Sequence, residues 1–192
     1  DLRRAIVEGA FFADGEKLSL KGGDAKSKID QALEYLVTHV YSELGLITWH
    51  AESDADILAV LNGSANDALA YGMTRNEEAA GRMYEFLEIQ DNKKLPTSMA
   101  DIQSRYSAIP YGWREIDIAA VAAKLIYDQR VTIKYAGMTI QPDDRRLPDM
   151  LRKKSEIGKT SISKRHVLSL QKVRQAREFL RDYFEVMDVP GD

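Results

Sequence analysis

The sequence predicts an α+β fold that is mainly helical, and three observations predict it. Apolar residues recur at the three- and four-residue spacing of helices over most of the chain. A proline–glycine turn, Pro110-Tyr-Gly112, precedes an apolar stretch with helical spacing. Two short strand-like runs then flank Ala136-Gly137. Since a helix followed by a short hairpin is the second half of a winged-helix unit, we expect a helical N-terminal half and a winged-helix-like second half.

The N-terminal half is predicted to be helical. Asp24 is placed to accept from the free backbone amides at the start of a long helix, and Gly45 is placed to end it. Ser53 or Asp54 is placed to cap a shorter helix. Residues 63–74 are weakly patterned and form either a loop or a short helix. The predicted helices cover residues 2–12, 24–44, 54–61 and 75–89, with a strand at 17–20.

The second half begins after a linker at residues 92–96, which is the predicted domain boundary. Residues 1–94 then form a helical subdomain, and residues 97–192 form the winged-helix-like subdomain with a basic C-terminal helix. Thr97 or Ser98 is placed to cap the first helix after the linker, and Ser163 to cap the last. The elements predicted between them are helices at 97–106, 115–127 and 147–151, a hairpin at 131–135 and 138–140, and a strand within 155–163.

Composition excludes several classes of protein. The chain has no cysteine, so it has no disulfides and no cysteine-based zinc site, which fits a cytoplasmic protein. No apolar run approaches the roughly 20 residues needed to span a bilayer, so a membrane is not expected among its partners. The chain does not begin with Met and starts within a helical pattern, so we expect it to be part of a longer protein.

Charge is distributed unevenly along the chain. Residues 1–123 hold 12 Lys and Arg against 20 Asp and Glu, whereas residues 145–181 hold 12 basic residues against three acidic ones. A basic region on an acidic body is typical of nucleic-acid binding, but it also arises when the basic side chains are solvated or paired within the protein. Both interpretations stay open from the sequence.

The candidate nucleic-acid contacts lie in this basic region. Clustered lysines and arginines follow a phosphate backbone without distinguishing base sequence, and such binding weakens steeply with salt. The candidates are Arg152, Lys153, Lys154, Lys159, Lys164, Arg165 and Lys172.

The helix predicted at 115–127 is a poor candidate for reading DNA. A recognition helix offers Arg, Lys, Asn or Gln to base edges in the major groove. This helix is apolar nearly all round, which indicates burial on more than one side, and it begins with Glu115 and Asp117. Tyr111 and Trp113 just before it have two interpretations: anchors for a docking partner, or aromatic residues packed within the turn.

No catalytic constellation is evident. His39, His50 and His166 lack the spacing that places two metal ligands on one helix face. Gly158-Lys159-Thr160 resembles the end of a phosphate-binding loop, but position 153 is lysine where that loop needs glycine. An unrelated enzyme with a dispersed carboxylate or histidine site stays open as a further class. We expect neither a catalytic residue nor a bound cofactor or metal in this chain.

Five segments resemble the large P-loop ATPase of bacterial BREX phage-resistance systems, of the BrxC/PglY type. The most specific is Ile109-Pro-Tyr-Gly-Trp-Arg-Glu-Ile-Asp-Ile-Ala-Ala. The others are Ala10-Phe-Phe-Ala-Asp-Gly-Glu-Lys-Leu, Ile133-Lys-Tyr-Ala-Gly-Met, Leu151-Arg-Lys-Lys-Ser-Glu and Ala176-Arg-Glu-Phe-Leu-Arg-Asp-Tyr-Phe.

The resemblance implies a system and a parent activity. The parent would be a cytoplasmic ATPase that binds ATP and Mg²⁺ outside this segment, because no Walker motif occurs here. Its partners would be other domains of the same chain and other BREX proteins, including a DNA methyltransferase. The function expected for this chain is that of a non-catalytic interaction region, docking on other domains, subunits or DNA. The alternative is a sequence-independent nucleic-acid-binding module that acts through residues 145–181.

Overall fold

The computed structural model describes residues 2–13, 15–63, 76–166, 174–175, 177–180 and 183. The helices are α1 (Leu2–Glu8), α2 (Ala25–Val40), α3 (Asp54–Leu61), α4 (Glu77–Asn92), α5 (Met99–Ser107), α6 (Glu115–Tyr127) and α7 (Leu147–Arg152). The strands are β1 (Phe12–Ala13), β2 (Glu16–Lys17), β3 (Val131–Tyr135), β4 (Met138–Ile140) and β5 (Thr160–Lys164). Within these ranges, no helix has both the length and the apolar character needed to cross a membrane. The predicted mainly helical α+β class is confirmed.

Three helices begin at the polar residues that the sequence placed there. The Asp24 carboxylate accepts the Ser27 amide at 2.9 Å at the start of α2. Ser98 and Asp101 exchange hydrogen bonds at the start of α5, where Asp101 accepts the Ser98 amide at 2.8 Å. Ser53 precedes α3 in the same arrangement. Each cap satisfies amides that have no partner inside the helix, so the local sequence defines these starts.

Several element bounds of the N-terminal half differ from the prediction. The helix predicted at 2–12 ends at Glu8, and Phe12 lies in β1. The strand predicted at 17–20 overlaps the observed strand only at Lys17, since the two-residue ladder pairs Phe12 with Lys17 and Ala13 with Glu16. The helix predicted to run to residue 44 ends at Val40, and Leu44–Leu46 form a 3₁₀ turn. There the Glu43 amide donates to the Pro110 carbonyl at 3.0 Å, so a tertiary contact redirects the chain before Gly45.

The hydrophobic core is built around α6. Ile118, Ala119–Ala123, Leu125 and Ile126 are all buried, and α3, α4, α5 and α7 pack against this helix. The same buried cluster contains Met83 of α4, before the predicted linker, and Ile102 of α5, after it. The division into residues 1–94 and 97–192 therefore stays a prediction. The two predicted parts share one hydrophobic core.

Three antiparallel strands follow α6 in the order β4-β3-β5. Ile133 of β3 is the partner of Ile140 in β4 and of Ile162 in β5, so the predicted hairpin is confirmed. The strand predicted within 155–163 is observed as β5, shifted to Thr160–Lys164. The connection from β3 to β5 carries β4 and α7 in place of a tight turn.

The predicted helix cap at Ser163 is wrong, because Ser163 lies in β5 opposite Thr132. Pairing with β3 outweighs the local capping preference of a serine, as does the bond from the Ile162 amide to the Thr97 carbonyl at 2.9 Å. Of the predicted C-terminal helix, residues 174–175 and 177–180 are helical, and most of the remainder lies outside the described residues.

Candidate functional site

A buried carboxylate fixes the start of α6. The Asp117 side chain is only 1% exposed. It accepts the Ala51 amide at 3.0 Å, the His50 ring Nδ1 at 2.9 Å and the Arg114 Nε at 2.8 Å. Arg114 also donates to the Ala51 carbonyl at 2.9 Å. The network ties the segment that leads into α3 to the first turn of α6.

The charge of Asp117 is favoured by these bonds. Burial by itself raises the pKa of a carboxyl group, but the hydrogen bonds from Arg114, His50 and Ala51 outweigh burial and lower the pKa of Asp117. Asp117 therefore serves as a structural anion at neutral pH, and its carboxylate faces its own chain and not solvent.

The helix that a winged-helix protein would place in DNA is covered here. On α6 the only exposed residues are Glu115 and Tyr127, within the part of the chain that the structure describes. The predicted burial of this helix is confirmed, and neither exposed side chain is one that pairs with base edges through two donors.

The Pro110–Trp113 turn is held by an aromatic cluster. The rings of Tyr106 and Trp113 stack with centroids 4.7 Å apart, and Tyr111 packs edge-on at 4.6 Å from Tyr106. The Trp113 indole N–H donates to the Glu43 carbonyl at 3.0 Å, and its side chain is only 2% exposed. Trp113 thus packs within the turn, whereas Tyr111 is half-buried and reaches the surface. Docking through either ring stays a prediction.

A surface groove lies beside this turn. It has a volume of about 520 Å³ and is lined by α5 and the following residues, from Asp101 to Tyr111. Ile109 at its edge is 65% exposed. The Arg105 guanidinium lies 4.4 Å above the Phe86 ring and 5.8 Å from the Tyr111 ring. The groove thus combines an exposed apolar side chain with a cation stacked on rings.

Most of the candidate nucleic-acid contacts are paired with protein groups. Arg152 lies 3.0 Å from Asp54 and 4.0 Å from Glu115, and Lys153 lies 2.7 Å from Asp149. The carboxylates neutralise much of the local charge that a phosphate backbone would meet.

Three of the five remaining candidates also contact protein groups. Lys159 lies 3.5 Å from Glu156, Lys164 pairs with Glu88, and Arg165 donates to the Gln129 side chain at 3.0 Å. Lys154 is exposed, with no carboxylate at ion-pairing distance among the described residues. Lys172 lies outside the described residues. The structure therefore does not gather these seven residues into one continuous unpaired surface within the ranges it describes.

The histidines are not assembled into a catalytic centre in the described ranges. His50 contacts Asp117, and His166 contacts Asp91 at 2.9 Å. His39 stacks on Tyr35 with ring centroids 3.8 Å apart. Among the described residues, no group of three His, Cys, Asp or Glu side chains is placed to hold a metal ion.

Two features of the surface were missed in the sequence. His50 has a partner, although it lies 67 positions from Asp117 in the chain. A lone aspartate in the first turn of an otherwise apolar helix is the available signal in the sequence. No sequence pattern indicated the stacking of Arg105. Besides the adjacent Tyr106, its ring partners come from α4 and from the turn after α5.

One known family matches most of the chain. The family described as the BREX ATP-binding protein BrxC winged helix-turn-helix domain matches residues 43–166, which include α3 to β5. The resemblance inferred from the Pro-Tyr-Gly-Trp segment is therefore confirmed for this region. No solved structure matches the chain.

Proposed function

The chain belongs to the family of winged helix-turn-helix domains of the BREX ATP-binding protein BrxC, and from this premise we propose that it docks on protein partners. Membership makes it an accessory domain of a BREX protein. The proposed role is non-catalytic: it joins other domains of its own chain, or other BREX subunits, through surfaces of the 43–166 region.

The burial of α6 carries this proposal. Reading base edges requires a helix with one free polar face. In this protein α3 and α7 pack on α6, and Asp117 in its first turn is held by Arg114. The winged-helix scaffold is retained while its usual DNA-reading helix is occupied internally, so the outer surfaces are left for protein contacts.

The parent protein is proposed to supply the chemistry. It would be a cytoplasmic P-loop ATPase that takes part in phage resistance, with ATP and Mg²⁺ bound outside this segment. The proposed partners are other BREX proteins, including a DNA methyltransferase. We assign no residue of this chain to nucleotide binding.

A second candidate function is sequence-independent binding of nucleic acid through residues 145–181. It is favoured by Lys154, which is exposed without an ion-pair partner in the described ranges, and by the excess of basic residues there. The carboxylates beside Arg152, Lys153 and Lys159 weigh against it.

Fluorescence anisotropy with labelled duplex DNA separates the two functions. We expect no binding at micromolar protein between about 50 and 200 mM salt. Binding with a steep negative dependence on salt, abolished in a Lys153→Glu, Lys154→Glu variant, would instead support the nucleic-acid function. Arg152 is left intact in that variant, because its loss also removes the contact to Asp54.

A pull-down against the purified BREX proteins tests docking directly. The 192-residue chain should retain at least one of them at physiological salt. If it retains none, the docking function is wrong, and salt-sensitive binding in the DNA titration then puts the second candidate in its place.

A further inference from the structure

We propose that the groove beside the Pro110 turn binds a partner segment that carries a carboxylate next to an apolar side chain. This inference rests on the docking function proposed above and assigns it a surface and a partner chemistry. The occupant is an acidic, partly apolar peptide segment of another protein.

The cation of the groove lacks an acidic partner of its own. The arginines Arg82, Arg114, Arg146 and Arg152 each lie within 4.0 Å of at least one carboxylate. Arg105 has no carboxylate at that distance among the described residues, and its guanidinium stacks on the Phe86 ring. Stacking on rings fixes the guanidinium plane, and the Tyr106 hydroxyl engages at most part of its several N–H donors, so the group still suits a carboxylate ligand.

The acid nearest in the groove does not serve as that ligand. The Asp101 Oδ2 atom accepts the Ser98 amide at 2.8 Å and the Ser98 hydroxyl at 2.7 Å. These bonds lower the pKa of Asp101, the Ser98 amide having the largest effect. Asp101 is thus engaged in capping α5, and the positive charge of Arg105 stays available to an incoming anion.

The apolar part of the occupant is set by Ile109. Its side chain is 65% exposed at the groove edge, next to the half-buried ring of Tyr111. Arginine and tyrosine are enriched where a few residues supply most of the binding energy, and the exposed Ile109 adds apolar area that a partner would bury.

The groove is held in shape before any partner arrives. The Tyr111 and Gly112 amides both donate to the Ala108 carbonyl, at 2.9 and 3.0 Å, and the Trp113 amide donates to the Tyr106 carbonyl at 2.9 Å. Little ordering is then needed on binding, which favours affinity from a small contact area.

Selection from a random peptide display library on the 192-residue chain tests the chemistry. The enriched consensus should contain Asp or Glu within one or two positions of a large apolar residue. The strongest peptide is then synthesised with a fluorescent label, and its affinity is measured by anisotropy. A consensus without an acidic position overturns the proposal.

A double-mutant cycle locates the contact. Arg105→Gln, and separately Glu→Gln or Asp→Gln in the peptide, should each weaken binding about tenfold, with little further loss when the two are combined. Ile109→Ser should also weaken binding several-fold, whereas Lys134→Gln, an exposed cation on β3, serves as the matched control and should not. Equal affinities for wild type and Arg105→Gln overturn the assignment.

The pull-down distinguishes failure of the groove from failure of docking. Capture of a BREX protein that is lost with Arg105→Gln and Ile109→Ser supports the groove. Capture that is unchanged by both substitutions overturns the groove and leaves the docking function standing. Absence of capture by the wild-type chain removes the docking function and the groove with it.

Discussion

At the scale of single residues, Asp117 holds two distant segments together, a role that its place in the sequence does not indicate. A carboxylate buried in this way is tolerated only when hydrogen bonds replace its lost water. Ala51, His50 and Arg114 supply those bonds from two different segments. Asp117 therefore links the approach to α3 with the start of α6, which is the central helix of the core.

Replacing Asp117 by alanine should destabilise the protein by about 3 kcal/mol, because the Ala51 amide and the Arg114 guanidinium lose their acceptor. Asp117→Asn should cost less, since one acceptor oxygen is kept. Urea unfolding monitored by circular dichroism measures both variants. Glu115→Ala is the control, an exposed acid in the same helical turn for which we expect less than about 1 kcal/mol. Equal costs at the two positions would contradict the role given to Asp117.

The same carboxylate should give stability a dependence on acid pH. Its pKa is lowered in the folded state, so its contribution is complete above the unfolded value of about 4 and is lost as the pH falls through the folded value. The difference in unfolding free energy between wild type and Asp117→Asn should therefore shrink as the pH falls below about 4. The lowered pKa values of Asp101 and Asp144 are common to both proteins and cancel in this difference. A difference that stays constant with pH would show that the pKa of Asp117 is the same in the folded and unfolded states, which would contradict its lowered value in the fold.

At the scale of elements, the turn between α5 and α6 joins these helices to the end of α2. Gly112 has a φ of 63°, in the left-handed region that favours glycine. A Cβ there would lie 2.5 Å from the Tyr41 ring, so the turn and the end of α2 are in direct contact. The same contact thus links the early end of α2 to the conformation of the Pro-Tyr-Gly-Trp segment.

Gly112→Ala should therefore lower the free energy of unfolding by more than the backbone strain alone would. Gly137 in the β3–β4 turn also has a positive φ, 86°, but no atom lies within 4 Å of its would-be Cβ. We expect Gly137→Ala to cost about 1 to 2 kcal/mol for the left-handed backbone, and Gly112→Ala to cost clearly more because the Tyr41 ring must move. Thermal unfolding of the two variants gives the comparison. The contact with Tyr41 would be disproved by similar losses at the two sites.

At the scale of the whole molecule, one hydrophobic core organises the matched region. α6 is enclosed by helices from both sides of residues 92–96, and Ile57, Met83 and Leu151 are all less than 5% exposed. Helices packed on a common partner lose their apolar contacts together, which favours a single unfolding transition for residues 43–166.

A pair of fragments tests the predicted domain boundary. Residues 43–166 should unfold cooperatively in urea, whereas residues 97–192 should not, because the latter lack α3 and α4 and would expose the faces of α6 that those helices cover. Circular dichroism and binding of a hydrophobic dye provide the measurement. Cooperative unfolding of the 97–192 fragment would instead support two separate subdomains.

Much of the fold follows from short-range chemistry in the sequence. The starts of α2, α3 and α5 are set by Asp24, Ser53 and Ser98, whose side chains act within one helical turn. The apolar character of residues 115–127 indicated a helix buried on several sides, and that is how α6 packs. The Pro-Tyr-Gly-Trp segment was specific enough to indicate the family. Each of these depends on residues that are close together in the chain.

Only the tertiary structure decided the rest, because the deciding contacts join distant residues. The contact of Glu43 with Pro110 ended α2 early, and pairing with β3 made Ser163 part of a strand. His50, which contacts Asp117, and the Phe86 ring, which lies beneath Arg105, belong to other segments of the chain. No local pattern therefore predicts these two contacts. The sequence by itself thus determined most of the helices, the caps at Asp24, Ser53 and Ser98, and the family. The folded chain determined which charges are paired, which helix is covered and where a surface groove forms, since burial and pairing exist only once distant segments meet.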